Sequence, residues 1–438
     1  MIKHAFRSQI LSFNGQTAYL ETDGLVLIDH SGIIQAVGHF QTVTQQSIEP
    51  LTPNEQARIT ALIRHLPERI IAPGFIDCHV HYPQIDVIGS PAEGLLPWLE
   101  NYTFPQESKF SNPEHAQAVA SFFFKELLSN GVTTALTFST SHKESVNAAF
   151  TEAERLGLRF ITGKCLMDRN CPPGVSDSVG GSPDQSLQET EALIKQWHQK
   201  NGTRLGYAIT PRFAPSCTAE QLSGAGQIAR DNPTVWIQSH VAENLDEIAW
   251  ARQLFPQSRS YLSVYNDFNL MRKRAVYAHC IHLDEQDQRL LRESQTSAAV
   301  CPTSNLFLGS GSFDFAAADN AQFEYGFACD VGGGTSLSPF KTMLAGYYIG
   351  RTKAHTISPE QLWYRHTLGA AKALDLHAKV GNIAVGMEAD LIVINPAATP
   401  LLARRTHAAQ SLDELLFAMI VLGDDRLIEQ TWIASQNA

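Results

Sequence analysis

Short apolar runs alternate with amphipathic stretches through the middle of the chain, between about residues 70 and 335. Apolar runs flanked by turn residues predict buried strands, whereas apolar positions at a period of 3.6 predict helices. Eight strands are predicted near 74–81, 131–139, 159–167, 205–213, 235–240, 275–280, 297–301 and 325–330. Helices are predicted between them near 113–129, 143–156, 185–200, 218–231, 245–254 and 284–293. This alternation is typical of the α/β class, and eight units predict a (β/α)8 TIM barrel.

The two ends of the chain have a different pattern, with short β-like runs separated by glycines. Residues 24–29 and 32–38 are the clearest near the start, and residues 381–395 have the same character. Residues 42–68 are more polar and predict helix or loop. We therefore expect a small β-sandwich domain that both termini build beside the barrel. The predicted divisions are 1–70 for the N-terminal part of the sandwich, 71–375 for the catalytic barrel and 376–438 for the C-terminal part of the sandwich.

Composition narrows the class of partner. The chain has 438 residues, of which 44% are hydrophobic and 18% charged, as expected of a globular enzyme. Its formal charge of −11 argues against nucleic acid as a partner, because phosphate backbones are bound by basic patches. The sequence has no apolar run of about 18 residues, so we expect no membrane span. Its start lacks the long apolar core of a signal peptide.

The seven cysteines are scattered and form no Cys-x-x-Cys pair. This distribution favours a reducing, cytoplasmic location, because disulfide frameworks belong to oxidising compartments. Four of the cysteines lie in apolar strand-like runs, where buried free thiols are favoured over metal ligands. These four are Cys78, Cys280, Cys301 and Cys329.

Two histidines, His79 and His81, stand two residues apart at the end of the first predicted strand. Side chains at that spacing project from the same face of a strand. Two imidazoles on one face suit a borderline metal such as zinc or iron. Alone the pair is a weak signal, because two unrelated histidines would look the same.

Later predicted strands also end in polar or aromatic residues, namely Arg212, Phe213, His240, His279 and Asp330. Taken singly, His240 could cap a helix, His279 could be a hydrogen-bonded core residue, and Asp330 could open a glycine turn. However, the carboxyl ends of barrel strands share one rim. Three imidazoles and a carboxylate at that rim can hold one divalent metal and leave a position for water.

The residue types at this rim predict hydrolytic chemistry. A bound divalent ion lowers the pKa of a water molecule and makes it a nucleophile near neutral pH. Asp330 could ligate the ion and accept the proton of that water. Glu243, three residues beyond His240, would face the same mouth from the first turn of a helix and could carry protons to a ring nitrogen and a leaving amine. His279 is better placed to contact the attacking oxygen than to act as a fourth imidazole ligand.

This set of residues resembles the metal centre of the mononuclear amidohydrolase superfamily, and the resemblance spans about residues 70–335. The β-rich ends resemble the composite sandwich of the same superfamily. Within it, the chain is similar to the guanine deaminase family. The segments that carry this similarity are 79–84, 103–105, 167–170, 210–215, 239–244, 301–306 and 330–336.

The resemblance implies hydrolytic deamination of guanine to xanthine and ammonia, by a homodimer with one zinc ion per subunit. The implied zinc ligands are His79, His81, His240 and Asp330. The implied catalytic residues are Glu243, His279 and Asp330. The residues implied to contact the substrate are His81, Gln84, Arg212, Phe213, His240, Glu243 and Asp330.

Gln84 and Arg212 match positions that the family uses to hold the purine. A planar amide and a forked guanidinium suit the ring edge and the carbonyl of guanine. The alternatives are a surface amide for Gln84 and a structural ion pair for Arg212. Phe213 could fix the base by stacking or through its backbone amide, or it could be a core side chain.

Other functions stay open on these grounds. Another deaminase or hydrolase on the same barrel could act on a pterin, a triazine, cytosine or a modified purine. A metal-free scaffold protein is disfavoured because every expected ligand is present. The other zinc deaminase architecture pairs His-x-Glu with Pro-Cys-x-x-Cys, and residues 142–144 supply only the first half. A second metal is not expected, because the superfamily's binuclear members carry a lysine on strand four, whereas Lys164 lies on the third predicted strand.

Two segments that follow strand ends, 82–110 and 168–183, are candidates for a loop that closes over the ligand. The second contains a Gly/Pro-rich stretch at 170–183. Long loops of this kind in compact domains are more often functional than mere linkers.

Overall fold

The computed structural model describes residues 1–178, 181–434 and 436–437. Within these residues, eight parallel strands pair in chain order around a barrel. The strands are Phe75–His81, Val132–Phe138, Arg159–Gly163, Leu205–Pro211, Trp236–Val241, Ala275–His279, Ser297–Val300 and Tyr325–Phe327. A short extension, Cys165–Leu166, also pairs with the fourth of them. The predicted (β/α)8 barrel is confirmed, and each predicted strand overlaps one of the eight.

Backbone hydrogen bonds just beyond the eighth strand close the barrel onto the first. The N–H of Asp330 donates to the carbonyl of His79 at 2.9 Å, and the N–H of His81 donates to the carbonyl of Val331 at 2.8 Å. Residues from the two ends of the barrel sequence therefore meet at one seam, and three of the predicted ligands lie on it.

Helices connect the strands and cover the outside of the barrel. Many begin at a residue that accepts a backbone N–H with its side chain, as Asn112, Thr218 and Asp284 do. The connecting helices are Pro113–Ser129, Lys143–Leu156, Asp184–Trp197, Ala219–Asp231, Leu245–Leu254, Tyr261–Asp267, Glu285–Ser294, Pro302–Phe307, Phe315–Ala321, Pro339–Thr352 and Pro359–Arg365. Shorter helices include Leu95–Trp98, Phe104–Glu107 and Lys200–Thr203. No helix among the described residues is both long enough and apolar enough to cross a membrane.

The amino end of the barrel is filled with apolar side chains. Ile76, Leu136 and Ile161 point into it, and helix Leu368–Ala373 closes it from below through Ala370. The polar residues of the strand ends are left to the opposite, carboxyl rim. Catalytic groups of barrel enzymes gather at that rim.

Both termini contribute to a second sheet, which has seven strands within the described residues. In spatial order these are Gln436–Asn437, Ile428–Ile433, Leu391–Ile394, Ile63–Pro73, Ile2–Asn14, Thr17–Asp29 and Ile34–His39. The predicted small domain from both ends of the chain is confirmed. The exact divisions at residues 70 and 375 stay a prediction, and residues 435 and 438 of the C-terminal part lie outside the described residues.

Alternation along these strands explains how the small domain is buried. Successive side chains of a strand face opposite sides of the sheet. One side buries Phe6, Val26 and Ile28, and their neighbours Ala5, Leu25 and Leu27 pack on the other side with Ile59 of helix Pro53–Leu62. Helix Phe40–Val43 contributes to the same side through Val43. Helix Leu412–Leu422 packs against helices Pro339–Thr352 and Pro359–Arg365 of the barrel, and helix Pro400–His407 packs against it.

Residues 42–68 are only partly helical, which corrects the prediction for this segment. Helix Pro53–Leu62 is present, but Ile63–Pro73 is a central strand. It pairs in parallel with Ile2–Asn14 and antiparallel with Leu391–Ile394. The polar residues in its first half are largely exposed, so the apolar run expected of a central strand is missing from the sequence.

Four charged side chains join the barrel to the small domain. Arg204 donates to Asp390 at 2.7 Å and also bonds Glu388, and Arg159 donates to Glu388 at 2.5 Å. Arg204 is 8% exposed and Asp390 is 3% exposed. A buried ion pair that loses one partner leaves an uncompensated charge.

Arg204→Met is therefore expected to lower the free energy of unfolding by about 3–5 kcal/mol. Urea denaturation followed by fluorescence measures the change. The matched control is Arg426→Met, which removes a guanidinium bonded to Asp424 on the surface, where it is 63% exposed. The control is expected to change stability little, and an equal loss in both variants would contradict the role given to Arg204.

Candidate active site

The first barrel strand aims both of its histidines into the barrel mouth because its register shifts. Ile76 and Cys78 face the barrel interior, and simple alternation would send His79 and His81 outward. The pairing with the second strand is irregular between Asp77 and Val80. A bulge at this point re-aims the side chains that follow it.

Four side chains from three strand ends converge at this mouth. The Nε2 atoms of His79 and His240 each lie 3.1 Å from Nε2 of His81. Oδ1 of Asp330 lies 3.1 Å from Nε2 of His79 and 3.4 Å from Nε2 of His81. One ligand atom of each residue falls within 4.8 Å of all the others. The structure thus brings together the four predicted metal-binding residues.

The donor chemistry of this cluster fits a divalent cation. Nδ1 of His240 lies 2.6 Å from the carbonyl oxygen of Arg212, which can only accept, so the proton is on Nδ1. The lone pair of Nε2 then points at the cluster, as in histidines that bind metals. Three ring nitrogens that face one carboxylate oxygen at this spacing match a set of imidazole and carboxylate ligands.

Burial keeps two imidazoles of the cluster, those of His81 and His240, neutral, and a metal ligand must be neutral. Burial lowers the pKa of His81 to about 4. Burial and the neighbouring His79 and His81 lower the pKa of His240 well below its ordinary value. Burial alone would raise the pKa of Asp330. The electrostatic effect of His79 and the hydrogen bonds from His79 and His81 outweigh burial, so the pKa of Asp330 falls well below its usual range.

A second group of ligand atoms overlaps the first and includes Cys301 with His79, His279 and Asp330. Burial and the charge of Asp330 raise the pKa of the Cys301 thiol well above its ordinary value. A thiol that stays protonated is a poor ligand, because the thiolate is the form that binds metals. The set with three imidazoles is therefore the better cation site. Cys78, Cys280, Cys301 and Cys329 are all buried free thiols, as predicted.

Glu243 and His279 lie beside the cluster and contact each other. Oε2 of Glu243 is 3.3 Å from Nε2 of His279, and the Ser310 hydroxyl donates to Oε1 of Glu243 at 2.9 Å. Nδ1 of His279 lies 2.9 Å from Oδ1 of Asn305. Burial raises the pKa of Glu243 to about 8, and the charge of Asp330 contributes to the same shift. Glu243 is thus protonated at neutral pH and can donate.

Glu243 is not on a helix, which corrects one expectation. Helix Leu245–Leu254 begins after the N-cap Asn244. Glu243 is instead aimed by the preceding residue, Ala242, which has a φ of +50°. Its own N–H donates to Glu247 at 3.1 Å. Left-handed backbone is costly for residues other than glycine and is concentrated at functional sites.

Arg212 and Gln84 face the same mouth, and a buried acid links them. Arg212 donates to Oε2 of Glu107 at 2.5 Å, and Nε2 of Gln84 donates to Oε1 of Glu107 at 2.9 Å. Oε1 of Gln84 accepts from the N–H of Gly332 at 3.2 Å. Gln84 is 2% exposed and is not a surface amide. Arg212 does form an ion pair, yet it also lines the cavity.

One cavity joins these groups. Its apolar lining includes Phe213, whose ring packs edge-on against Trp250 with ring centroids 5.9 Å apart. The lining residues are His81, Gln84, Leu95, Trp98, Leu99, Arg212, Phe213, His240, Glu243, Glu247, His279, Leu308, Asp330 and Gly333. A cleft with apolar walls and a few converging polar groups is typical of sites for small planar ligands.

The two segments expected to close over the ligand differ. Segment 82–110 supplies Leu95, Trp98 and Leu99 to the cavity wall. The described part of segment 168–183 supplies none of the lining, and residues 179 and 180 lie outside the described residues. That segment is held by Lys164, whose ammonium donates to Asp177 at 3.1 Å and to Ser186 at 2.8 Å.

The sequence did not single out Glu107, Glu247, Asn305 or Ser310. Asn305 lies inside segment 301–306, which carries the family resemblance but gave this residue no role, and Ser310 follows without a strand-end position to mark it. Glu107 stands two residues beyond a segment that carries the family resemblance, which was the available signal for it. Nothing in the pattern shows that an isolated glutamate in a polar segment is buried.

Comparison with known proteins agrees with this geometry. The Amidohydrolase family matches residues 70–437. Guanine deaminase of Escherichia coli (strain K12) is 40% identical over 411 residues, which cover 94% of this chain and 90% of the relative. The solved structure of E. coli guanine deaminase has a TM-score of 0.93 at 37% identity, covering 100% of this chain and 99% of that chain. Guanine deaminase from C. acetobutylicum with bound guanine in the active site has a TM-score of 0.89 at 29% identity, with 99% of both chains covered.

Proposed function

Since the chain belongs to the amidohydrolase family, we propose that it is a guanine deaminase that converts guanine and water to xanthine and ammonia. It acts as a hydrolase on a carbon–nitrogen bond, in a step of purine catabolism. The observation that carries the assignment is the shared cavity. A proton-handling pair, Glu243 and His279, and a purine-holding pair, Gln84 and Arg212, line the same space beside the imidazole cluster.

One zinc ion per subunit is proposed at His79, His81, His240 and Asp330, whose donor atoms fit it. When bound there, zinc supplies a water molecule that ionises near neutral pH. Asp330 has a separate oxygen for each task. Oδ1 faces the imidazoles, whereas Oδ2 faces His279 at 3.8 Å and is free to accept the proton of the attacking water.

Glu243 delivers protons to the substrate. Its raised pKa keeps a proton on the carboxyl at neutral pH, so it can protonate the ring nitrogen next to C2. Asp330 then returns the proton of the water to Glu243, which passes it to the departing amino group, and the hydroxyl proton left on C2 restores the acid as ammonia leaves. The Ser310 hydroxyl holds one carboxyl oxygen, which leaves the other for this transfer. His279, oriented by Asn305, contacts the attacking oxygen and stabilises its developing charge.

The base is held on the opposite side. Arg212 and Gln84 bind the carbonyl and ring edge of guanine, and Phe213 packs along the apolar wall. His81, His240, Glu243 and Asp330 border the reacting carbon. A ring with the wrong donors and acceptors would leave these buried polar groups without partners, so the site is expected to reject it strongly.

The test is an ammonia-release screen with metal-quantified protein across guanine, adenine, cytosine, guanosine and a pterin. Guanine is expected to release ammonia and adenine to release none, because adenine has no amino group at C2 and lacks the carbonyl that Arg212 binds. Zinc-loaded protein that leaves guanine unchanged and consumes another ring would overturn the substrate assignment. Protein that holds no divalent ion after growth with zinc would point to a scaffold instead.

We also propose a cytoplasmic location and a homodimer. The location is supported by the seven cysteines, all of which are free thiols in the described residues. The homodimer is supported by the family resemblance alone, and light scattering of the purified chain tests it.

A further inference from the structure

Glu107 ends the short helix Phe104–Glu107 and is 1% exposed, yet it is not among the cavity-lining residues. Both of its carboxylate oxygens are engaged. Oε2 accepts from Arg212 at 2.5 Å, and Oε1 accepts from Gln84 at 2.9 Å. The Phe104 ring lies 5.2 Å from the Arg212 guanidinium carbon and covers it from one side. A single buried acid thus lies directly behind both residues proposed to hold the base.

We propose that Glu107 is a positioning residue that makes the pocket select a neutral purine over an anionic one. This inference rests on the proposed function, in which Arg212 and Gln84 bind the base. Glu107 does so in two ways: it fixes the orientation of the Gln84 amide, and it balances the charge of Arg212.

The orientation of Gln84 follows from its two partners. A carboxylate only accepts, and a backbone N–H only donates. Glu107 therefore requires the amide nitrogen of Gln84 on its side, and the N–H of Gly332 requires the amide oxygen on the other, at 3.2 Å. The remaining N–H and lone pair of Gln84 are presented to the cavity in one fixed order. A base edge with the opposite order of donor and acceptor is rejected.

Charge balance decides which form of the base binds. Arg212 is 3% exposed, and a buried guanidinium without a counterion attracts any anion that fits. With Glu107 at 2.5 Å the pair is neutral overall. Guanine is neutral at physiological pH, whereas xanthine, the product, loses a ring proton close to that pH. A neutral pair therefore gives the product no extra attraction and favours its release.

Other ionisable groups close to this pair are Cys165, His142 and His81. Burial raises the pKa of the Cys165 thiol to about 12. Burial also lowers the pKa of His142. The Cys165 thiol and the His142 imidazole are therefore neutral near pH 7, and the carboxylate bonded to Arg212 is that of Glu107.

The test compares two ligands that share the C6 carbonyl and lack the 2-amino group, so that neither is turned over. Hypoxanthine is the neutral probe, and xanthine at mildly alkaline pH is the anionic one. In Glu107→Gln, the dissociation constant for hypoxanthine and the KM for guanine are expected to rise roughly ten-fold, through loss of a charged hydrogen bond. The dissociation constant for xanthine is expected to fall, and to fall further as pH rises through its ionisation.

Controls separate positioning from folding. Glu107→Asp keeps the negative charge but has a shorter side chain. It is therefore expected to weaken the binding of hypoxanthine and to leave the binding of xanthine unchanged. Glu100→Gln makes the same substitution at an exposed site in the same segment, and it is expected to change neither of the two dissociation constants. Zinc content and thermal midpoint report whether each variant is folded.

Opposite changes for the two ligands support the inference, because a distorted pocket would weaken both. Parallel weakening, or no change in either, would overturn it. Calorimetry measures the binding of both probes without turnover. The inference can therefore be tested even if the wild-type protein fails to deaminate guanine. That failure would count against the proposed function instead.

Discussion

Glu243→Gln is expected to reduce kcat for guanine by about 10²–10⁴-fold, the range that a positioned proton carrier contributes. Burial and the charge of Asp330 raise the pKa of this carboxyl to about 8, so it holds its proton at neutral pH. Glutamine keeps the shape and the bond from Ser310 but has no acid to give. Steady-state kinetics and zinc analysis measure the effect, and zinc content is expected to stay at the wild-type level.

The matched control for this variant is Asp246→Asn, which removes a carboxylate three residues further on, at an exposed position. It is expected to retain wild-type kcat. If Glu243→Gln kept more than about a tenth of the wild-type kcat, Glu243 would not be the main proton carrier.

His240→Ala is expected to abolish stable zinc binding and, with it, nearly all activity. The loss should exceed the roughly 10–100-fold cost of removing a residue that only supports a ligand. Elemental analysis measures bound zinc, and thermal unfolding with and without a chelator measures what the ion adds to stability. Chelation should lower the midpoint of the wild type, because a ligand that binds only the folded state stabilises it.

The midpoint of His240→Ala should not respond to the chelator. His142→Ala is the control, since this half-buried imidazole hydrogen-bonds Thr140 and is outside the cluster. It is expected to keep its zinc. A His240→Ala protein with full zinc and a chelator-sensitive midpoint would show that this residue is not a ligand.

Much of the candidate site could be predicted because barrel topology brings distant strand ends together. His240, His279 and Asp330 each lie at or directly after a strand, and the structure places all three at one mouth. The orientation of the two histidines on the first strand was harder to predict. Their spacing predicted a shared face, but which face depends on the irregular pairing between Asp77 and Val80. Local propensity does not report such a bulge.

The parts that escaped prediction depend on contacts far apart in the chain. Glu107 matters because Arg212 and Gln84 fold onto it, and the bond to Arg212 spans 105 positions. Glu243 was expected on a helix, because the left-handed turn at Ala242 has no glycine to mark it. Ile63–Pro73 is a central strand through pairing with both ends of the chain, despite its polar first half.

The hydrogen-bonded seam between Asp330 and His79 also has a consequence for biosynthesis. A ribosome releases the two histidines early and the aspartate only after most of the polypeptide has been made. A product that ends before Asp330 therefore lacks the one carboxylate of the ligand set, whichever of the histidines it contains. We therefore expect the complete ligand set to form only once the chain around Asp330 pairs with the first strand.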